Sequence, residues 1–584
     1  MELMDLDPVA NDALYAPLVA SDAFRLMILQ PAQRHDPVIV HLRSVSAATS
    51  LPQYDAISYV WGNPDETILI LCNGLPTKIT VNLHAALVQV RSLDVPRLLW
   101  ADALCINQKD KQERGQQVTI MGAIYSRARL VLACMGYSPD GGGARIASFL
   151  AEYAPVMKTT RPPTHDPRWP SFAPLLQRNW FTRAWVLQEV GLAQNPRVVY
   201  DNVDFSYRDL MAAVKWLTFH DSGFAARTGI PGLLIHLLWT DWSATWAHDP
   251  SVQLCEFLDL LDHGALLACR DPRDHIYAFL GHPLAVQAGT TGRPIIPDYE
   301  KSVGQVYTET TVFLLQQTGL RTLSSAEHTD ATLDDFTIPS WVVRWNVGST
   351  LNNIHIHPAA PYRACGSRTA SELSLAGDIL QVHGLQFDTV KEVYQLEYRT
   401  GYQIRSTNQS TGQQGKIHDL LTQANILTVP TPYFEPQALA LAQTLCAGRV
   451  AKEDEHNFVH AWNAFRVWNE EGLKKMNMAP VKNVMVDKLW HQMTSVCRGR
   501  ALIVTSKGHF GLAPPCSKVG DVCSVFDGGI VPFLLRPIQS ADMETQLRGD
   551  HRLLGEAYIH GVMQGEAVSM LERGEAVERV FNIF

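Results

Sequence analysis

The chain has 584 residues, 46% of them hydrophobic and 18% charged, with a net charge of −9. That length exceeds what one hydrophobic core serves, so two or three domains are expected, and the composition excludes a disordered chain. The mild acidity, without any cluster of Lys and Arg, argues against a nucleic-acid partner.

In chain order, the acidic start Met1-Glu-Leu-Met-Asp-Leu-Asp7 lacks the layout of a secretory signal. Residues Tyr54 to Trp61 are apolar and aromatic and stop at Gly62-Asn63-Pro64, a strand and then a turn. Ile68 to Cys72 and Lys78 to Val81 flank Asn73-Gly74-Leu75-Pro76 and read as a hairpin. Asn82 is expected to cap a helix carrying Leu83, Leu87 and Val90 on one face. Leu98 to Ala101 is a buried strand that ends at Asp102. The polar stretch Asn107 to Gln117 leads into a helix, with Asp110 and Glu113 spaced as a capping box and Val118, Met121, Ile124 and Tyr125 as its apolar stripe. Arg129 to Met135 is the next buried strand. Strand, helix and strand in this rhythm predict an α/β domain built on a parallel sheet.

Trp180 to Leu192 is expected to be a helix, and Phe205 to about Leu320 mostly helical. Residues Pro339 to Pro361 read as a segment crossing between domains. Strands are expected around Ala376-Gly377-Asp378, then helices from about Pro436 to Arg498. Short strands come next, at Arg500 to Thr505, His509 to Leu512, Val522 to Phe526, Ile530 to Arg536 and Leu553 to His560. They suggest a C-terminal α+β region with a small antiparallel sheet or barrel, completed by strands from before the helices. No window holds the roughly 18 uninterrupted apolar residues of a membrane span. The ten cysteines show no Cys-x-x-Cys spacing, and His355 and His357 lack further ligands nearby, so no metal site is expected. A cytoplasmic location is expected.

Three segments carry a family resemblance: Tyr54-Asp-Ala-Ile-Ser-Tyr-Val-Trp-Gly62, Leu99-Trp-Ala-Asp-Ala-Leu-Cys-Ile-Asn-Gln108 with Glu113-Arg114, and Trp180-Phe-Thr-Arg-Ala-Trp-Val-Leu-Gln-Glu189. In this order they closely resemble the fungal heterokaryon-incompatibility (HET) domain. Asp271-Pro-Arg-Asp-His-Ile-Tyr-Ala-Phe-Leu-Gly281, Pro297-Asp-Tyr-Glu-Lys-Ser-Val303 and Ile338-Pro-Ser-Trp341 resemble the helical region downstream of such domains, with His275 standing where Lys is expected. Gly555-Glu-Ala-Tyr-Ile-His-Gly-Val-Met-Gln-Gly-Glu566 resembles the usual ending of these proteins. The boundaries expected are an N-terminal extension over 1–53, a HET domain over 54–192, a helical region over 193–345 and a C-terminal α+β domain over 346–584.

The resemblance implies fungal non-self recognition and programmed cell death, with self-association or another incompatibility protein as partner. HET domains are in turn similar to TIR domains. Trp185-Val-Leu-Gln-Glu189 resembles the Trp-Cys-x-x-Glu segment of NAD-cleaving TIR enzymes, with Val186 in place of the cysteine. That similarity implies NAD as a substrate and Glu189 as the catalytic carboxylate. Cleaving the nicotinamide–ribose bond develops positive charge on the ribose, which one carboxylate can stabilise. Trp185, four residues before Glu189, and Trp61 offer flat rings for stacking. Asp102, Asn107 and Gln108 lie just past a strand end, where open parallel sheets bind ligands, and Arg114 or Arg183 offers a guanidinium to a pyrophosphate.

Each residue also has a plainer reading. Trp185 packs a helix and leaves Glu189 in solvent, Asp102 ends a strand, and Asn107, Asp110 and Glu113 cap a helix. Asp271-Pro272 reads as a helix start with local Arg273 and Asp274 pairs. A non-catalytic homotypic signalling module therefore stays open beside the enzyme.

Overall fold

The structure, a computed structural model, describes residues 14–48, 51–156, 162–163, 165–220, 256–285, 295–347, 354, 362–370, 373–399, 403–412, 414–416, 432–435, 437–449, 458, 462, 484–538 and 551–584. His355 and His357, and most of the stretch 450–483 that reads as helical, lie outside the described residues. The chain forms two compact units, 1–303 and 304–584.

The first unit is built on nine strands: β1 (Ala23–Leu29), β2 (Ile39–Ser46), β3 (Asp55–Ser58), β4 (Thr67–Cys72), β5 (Leu75–Thr80), β6 (Arg97–Trp100), β7 (Leu130–Gly136), β8 (Pro196–Tyr200) and β9 (Val203–Ser206). Across the sheet they lie in the order β5-β4-β2-β1-β6-β3-β7-β8-β9. The centre, β6-β3-β7-β8, is parallel. Antiparallel pairs extend it: β1 with β6 and β2 on one side, β9 with β8 on the other. All four residues of β3 are buried, as expected for a strand covered on both faces.

Helices α1 (Val81–Val90), α2 (Asp102–Cys105), α3 (Lys111–Arg127), α4 (Gly142–Tyr153), α5 (Phe172–Leu176), α6 (Val186–Gly191), α7 (Tyr207–His220), α8 (Phe257–Gly264) and α9 (Asp274–Tyr277) complete the unit. The hairpin β4–β5 turns on Asn73 and Gly74, both at positive φ, the type I′ geometry that Asn-Gly favours. From β3 the chain returns through that hairpin and α1 to β6. From β6 it crosses through α3 to β7, on the other side of β3. The connections that leave β3 and β7 head in opposite directions along the sheet, toward β6 and toward β8, which places the topological switch point between their carboxyl ends.

Several expectations are corrected. The stretch read as an N-terminal extension supplies β1 and β2 of the same sheet. Phe205 lies within strand β9, since β8 and β9 form a hairpin turning at Asp201. Thr80, not Asn82, caps α1, its Oγ1 accepting from Leu83 N at 3.3 Å. Trp180 to Leu192 is not one helix. A 3₁₀ turn (Asn179–Thr182) gives way to extended backbone at Arg183, and α6 starts only after Trp185. Asp110 does cap α3, but the Glu113 carboxylate takes Arg25 of β1 at 2.7 and 3.0 Å and the Asn107 N–H at 2.7 Å.

The second unit carries β10 (Ser374–Ala376), β11 (Ile379–Arg399), β12 (Gln403–Asn408), β13 (Gln414–Lys416), β14 (Ala501–Thr505), β15 (Phe510–Ala513), β16 (Val522–Phe526), β17 (Phe533–Pro537), β18 (His551–Glu556), β19 (Tyr558–Ile559) and β20 (Val577–Ile583). Strands β16, β17, β18, β20 and β11 pair in a closed ring, joined by β11 to β16 and by the single parallel pair His551↔Ile583. Register shifts at Gln386/Asp388 and Val390/Glu392 bend β11 from that ring onto β14. Leu385, Phe387, Val393, Ile503, Cys523, Val525, Leu534 and Leu554 pack together as the core. The expected sheet or barrel, built with strands from before the helices, is therefore present.

Candidate functional site

At the carboxyl ends of β3 and β6 lies a cavity of about 790 Å³. Trp61 and Gly62 reach it from the turn after β3, and Asp102 from the first residue after β6 and Ala101. Gln108 lines it too and ties the loop down by donating to Asp102 O at 2.8 Å. Arg114, Val118 and Met121 descend from α3, four and three residues apart and thus on one helix face. Arg183 and Trp185 come from the bend before α6. The opposite wall is Ala268 to Asp274 with Tyr299. That wall is stitched on by backbone: Ala184 N donates to Ala268 O at 3.2 Å and Ala268 N to Thr182 O at 2.6 Å.

Among the residues expected at the site, Trp61, Asp102, Gln108, Arg114, Arg183 and Trp185 are brought together here. Asn107 is not among the lining residues, and its side chain accepts from Lys109 N at 3.3 Å, a turn-forming use. Glu189 does not line the cavity either. It is 1% exposed, so the reading of a solvated carboxylate is corrected. Its oxygens take a bidentate pair from Arg183 at 2.8 and 3.2 Å and a short hydrogen bond from Ser58 Oγ at the end of β3. Trp180 Nε1 donates to the same Ser58 Oγ at 2.8 Å. Arg183 thus stands between Glu189 and the cavity. Burial works against the Arg183 charge, and the carboxylates of Glu189 and Asp102 more than restore it.

Three carboxylates line the cavity, Asp102, Asp271 and Asp274, and two of them hold an indole. Trp61 Nε1 donates to Asp102 Oδ2 at 2.8 Å, and burial, reinforced by the nearby Glu189 charge, pushes Asp102 up to about 6. Asp274 accepts from Tyr299 OH at 2.7 Å and from Trp185 Nε1 at 3.2 Å, and burial pushes it up to about 6 as well. Each indole that lines the cavity is therefore tethered to a carboxylate whose pKa burial has raised. Asp271 does pair locally with Arg273, as expected. Asp274, Tyr299 and Cys269 are the lining residues that sequence reasoning did not find. The signal for Asp274 and Tyr299 was the segments 271–281 and 297–303, read for their family resemblance and, at 271–274, for helix-start chemistry; Cys269 lies outside both.

A groove of about 820 Å³ at the amino ends of β3, β6 and β7 is as large but chemically poorer. Its Arg97 and Arg129 are both engaged by the buried Asp55. Among the described residues no group of His, Cys, Asp or Glu is arranged to hold a metal ion, and no helix is long and apolar enough to cross a membrane.

Residues 54–189 match the family model described as Heterokaryon incompatibility protein (HET), and residues 448–577 match that of the Het-6 beta-barrel domain. Over 95% of its length the chain is 23% identical to "Heterokaryon incompatibility protein 6, OR allele" of Neurospora crassa, and the alignment covers 95% of that protein. No solved structure matches.

Proposed function

We propose that this chain, whose residues 54–189 match the HET model, acts in heterokaryon incompatibility, its α/β unit triggering cell death by cleaving the nicotinamide–ribose bond of NAD. The observation that carries this reading is the cavity at the carboxyl ends of β3 and β6, where two tethered indoles, three carboxylates and several guanidiniums converge. Its volume of about 790 Å³ lies within the range of small-molecule sites.

The chemistry asks for a negative charge beside the ribose as neutral nicotinamide leaves and water bonds to the vacated ribose carbon, losing a proton to solvent. Glu189 supplies it once Arg183 swings from the carboxylate toward the cavity, and a pyrophosphate entering the cavity offers Arg183 a replacement partner. Ser58 then holds the freed carboxylate, with Trp180 fixing Ser58. Asp102 and Gln108 stand ready for ribose hydroxyls, and Trp61 and Trp185 for the flat rings.

The test is NAD consumption by the full-length protein at high concentration, wild type against Glu189→Gln. Wild type is expected to turn NAD over, and the variant to lose about 10²-fold or more while keeping its fold. Equal turnover in both removes Glu189 from the chemistry. The burial of Glu189 under Arg183 favours one second reading, a homotypic signalling module in which the pair only braces α6 against β3. Folded, assembled protein that never consumes NAD yet remains toxic in cells would establish that module instead.

A further inference from the structure

We propose that the cavity contains a phosphate subsite centred on Arg114, held in position by Tyr299 and Asp274, so that its ligands are nucleotides carrying a pyrophosphate. This rests on the nucleotide reading of the cavity and assigns the group that recognises the anion.

The argument is one of charge matching. Until it swings toward a ligand, Arg183 is matched by Glu189 in a bidentate pair, and Arg273 is matched by Asp271 at 2.9 and 2.8 Å. Arg114 has no carboxylate of its own. Its Nη2 lies 3.4 Å from Asp271 Oδ2, an oxygen that Arg273 already holds at 2.8 Å. Of the remaining cavity carboxylates, Asp102 is engaged by Trp61 Nε1, and Asp274 by Tyr299 OH and Trp185 Nε1. Positive potential is therefore concentrated at Arg114, near the start of α3, where the helix dipole adds to it.

The geometry also presents that cation. The Arg114 guanidinium sits over the Tyr299 ring, 3.5 Å from its centroid, which fixes its plane and leaves the edge for a ligand. The Tyr299 hydroxyl donates to Asp274 Oδ1 at 2.7 Å, and the same carboxylate accepts from Trp185 Nε1. One aspartate thereby positions both the cation's platform and a ring-stacking indole. Asp274 and Tyr299 lie outside residues 54–189, so the matched segment supplies Arg114 but not the residues that aim it.

The test uses the full-length protein and two ligands that lack the scissile bond, ADP-ribose and adenosine, with binding measured by calorimetry. Wild type is expected to prefer ADP-ribose by at least about tenfold, and Arg114→Gln to lose about that factor for ADP-ribose only. Tyr299→Leu, which removes the ring, should copy Arg114→Gln, whereas Tyr299→Phe, which keeps it, should lose less. If Arg114→Gln binds ADP-ribose as well as wild type, or weakens both ligands equally, the subsite is refuted and Arg114 is structural. Wild-type protein that binds neither ligand also refutes it. ADP-ribose binding through Arg114 without any NAD turnover leaves the subsite standing and removes the enzyme.

Discussion

Asp102 carries a charge that its surroundings resist, and this has a measurable consequence for stability. Its carboxyl titrates near 3.8 when unfolded and at about 6 in the folded chain, chiefly because burial strips it of water. Below about pH 4 both states hold the proton. As pH rises toward 6 the unfolded chain releases it and the folded chain does not, so stability falls across that window and levels off above it. Asp102→Asn removes the burden while keeping an acceptor for Trp61. Its thermal midpoint should exceed that of wild type at pH 7.5 and match it at pH 4. Which side chains line the cavity was partly legible at this scale. The motif positions Trp61, Asp102, Arg114, Arg183 and Trp185 meet in one cavity because each ends or starts an element at the same edge of the sheet. The partners of those residues were not legible. Nothing local in the sequence says that Glu113 answers Arg25 or that Arg183 covers Glu189, since each pairing is made by the fold.

Among the elements, α3 shows how the cavity wall is set. A methyl added to Gly115 would lie 2.7 Å from the Pro297 carbonyl oxygen, so the helix approaches the 297–299 segment as closely as only glycine permits. Gly115→Ala should cost about 1–3 kcal/mol in urea unfolding and weaken ADP-ribose binding, because the segment that must shift carries Tyr299. The strands β3, β6 and β7, the β4–β5 hairpin and α3 were readable from apolar runs, turn residues and the Asp110 cap. Strand β1 escaped because the buried Arg25 interrupts its apolar run, and an arginine there reads as surface until its partner is known. Strands β8 and β9 escaped because Asp201 adopts positive φ, so their turn lacks the usual glycine. Strand β20 presents an exposed face along much of its length and so shows little apolar signal.

For the molecule as a whole, the span that matches the HET model is smaller than what folds. Residues 54–189 lack β1, which pairs with β6 through Met27↔Leu99, and β8, which pairs with β7 through Leu132↔Arg197. Cut there, the sheet keeps two open edges with buried, apolar faces. The fragment 54–189 should aggregate or show no cooperative melt, while the fragment 1–303 should melt cooperatively, as circular dichroism at matched concentration would reveal. The strand alternation of the first unit and the late short strands of the second were both legible in the sequence. The lateral extent of the first sheet was not, because neighbours in the sheet are distant along the chain. The long strand β11 carries that distance into time. Leu385 pairs with Glu578 on one edge and with Val525 on the other, so the ring cannot begin to close when β11 leaves the ribosome. Until β20 has been synthesised, the edge of β11 that it pairs lacks its native partner, and during translation this edge is where a chaperone or a neighbouring nascent chain competes with it.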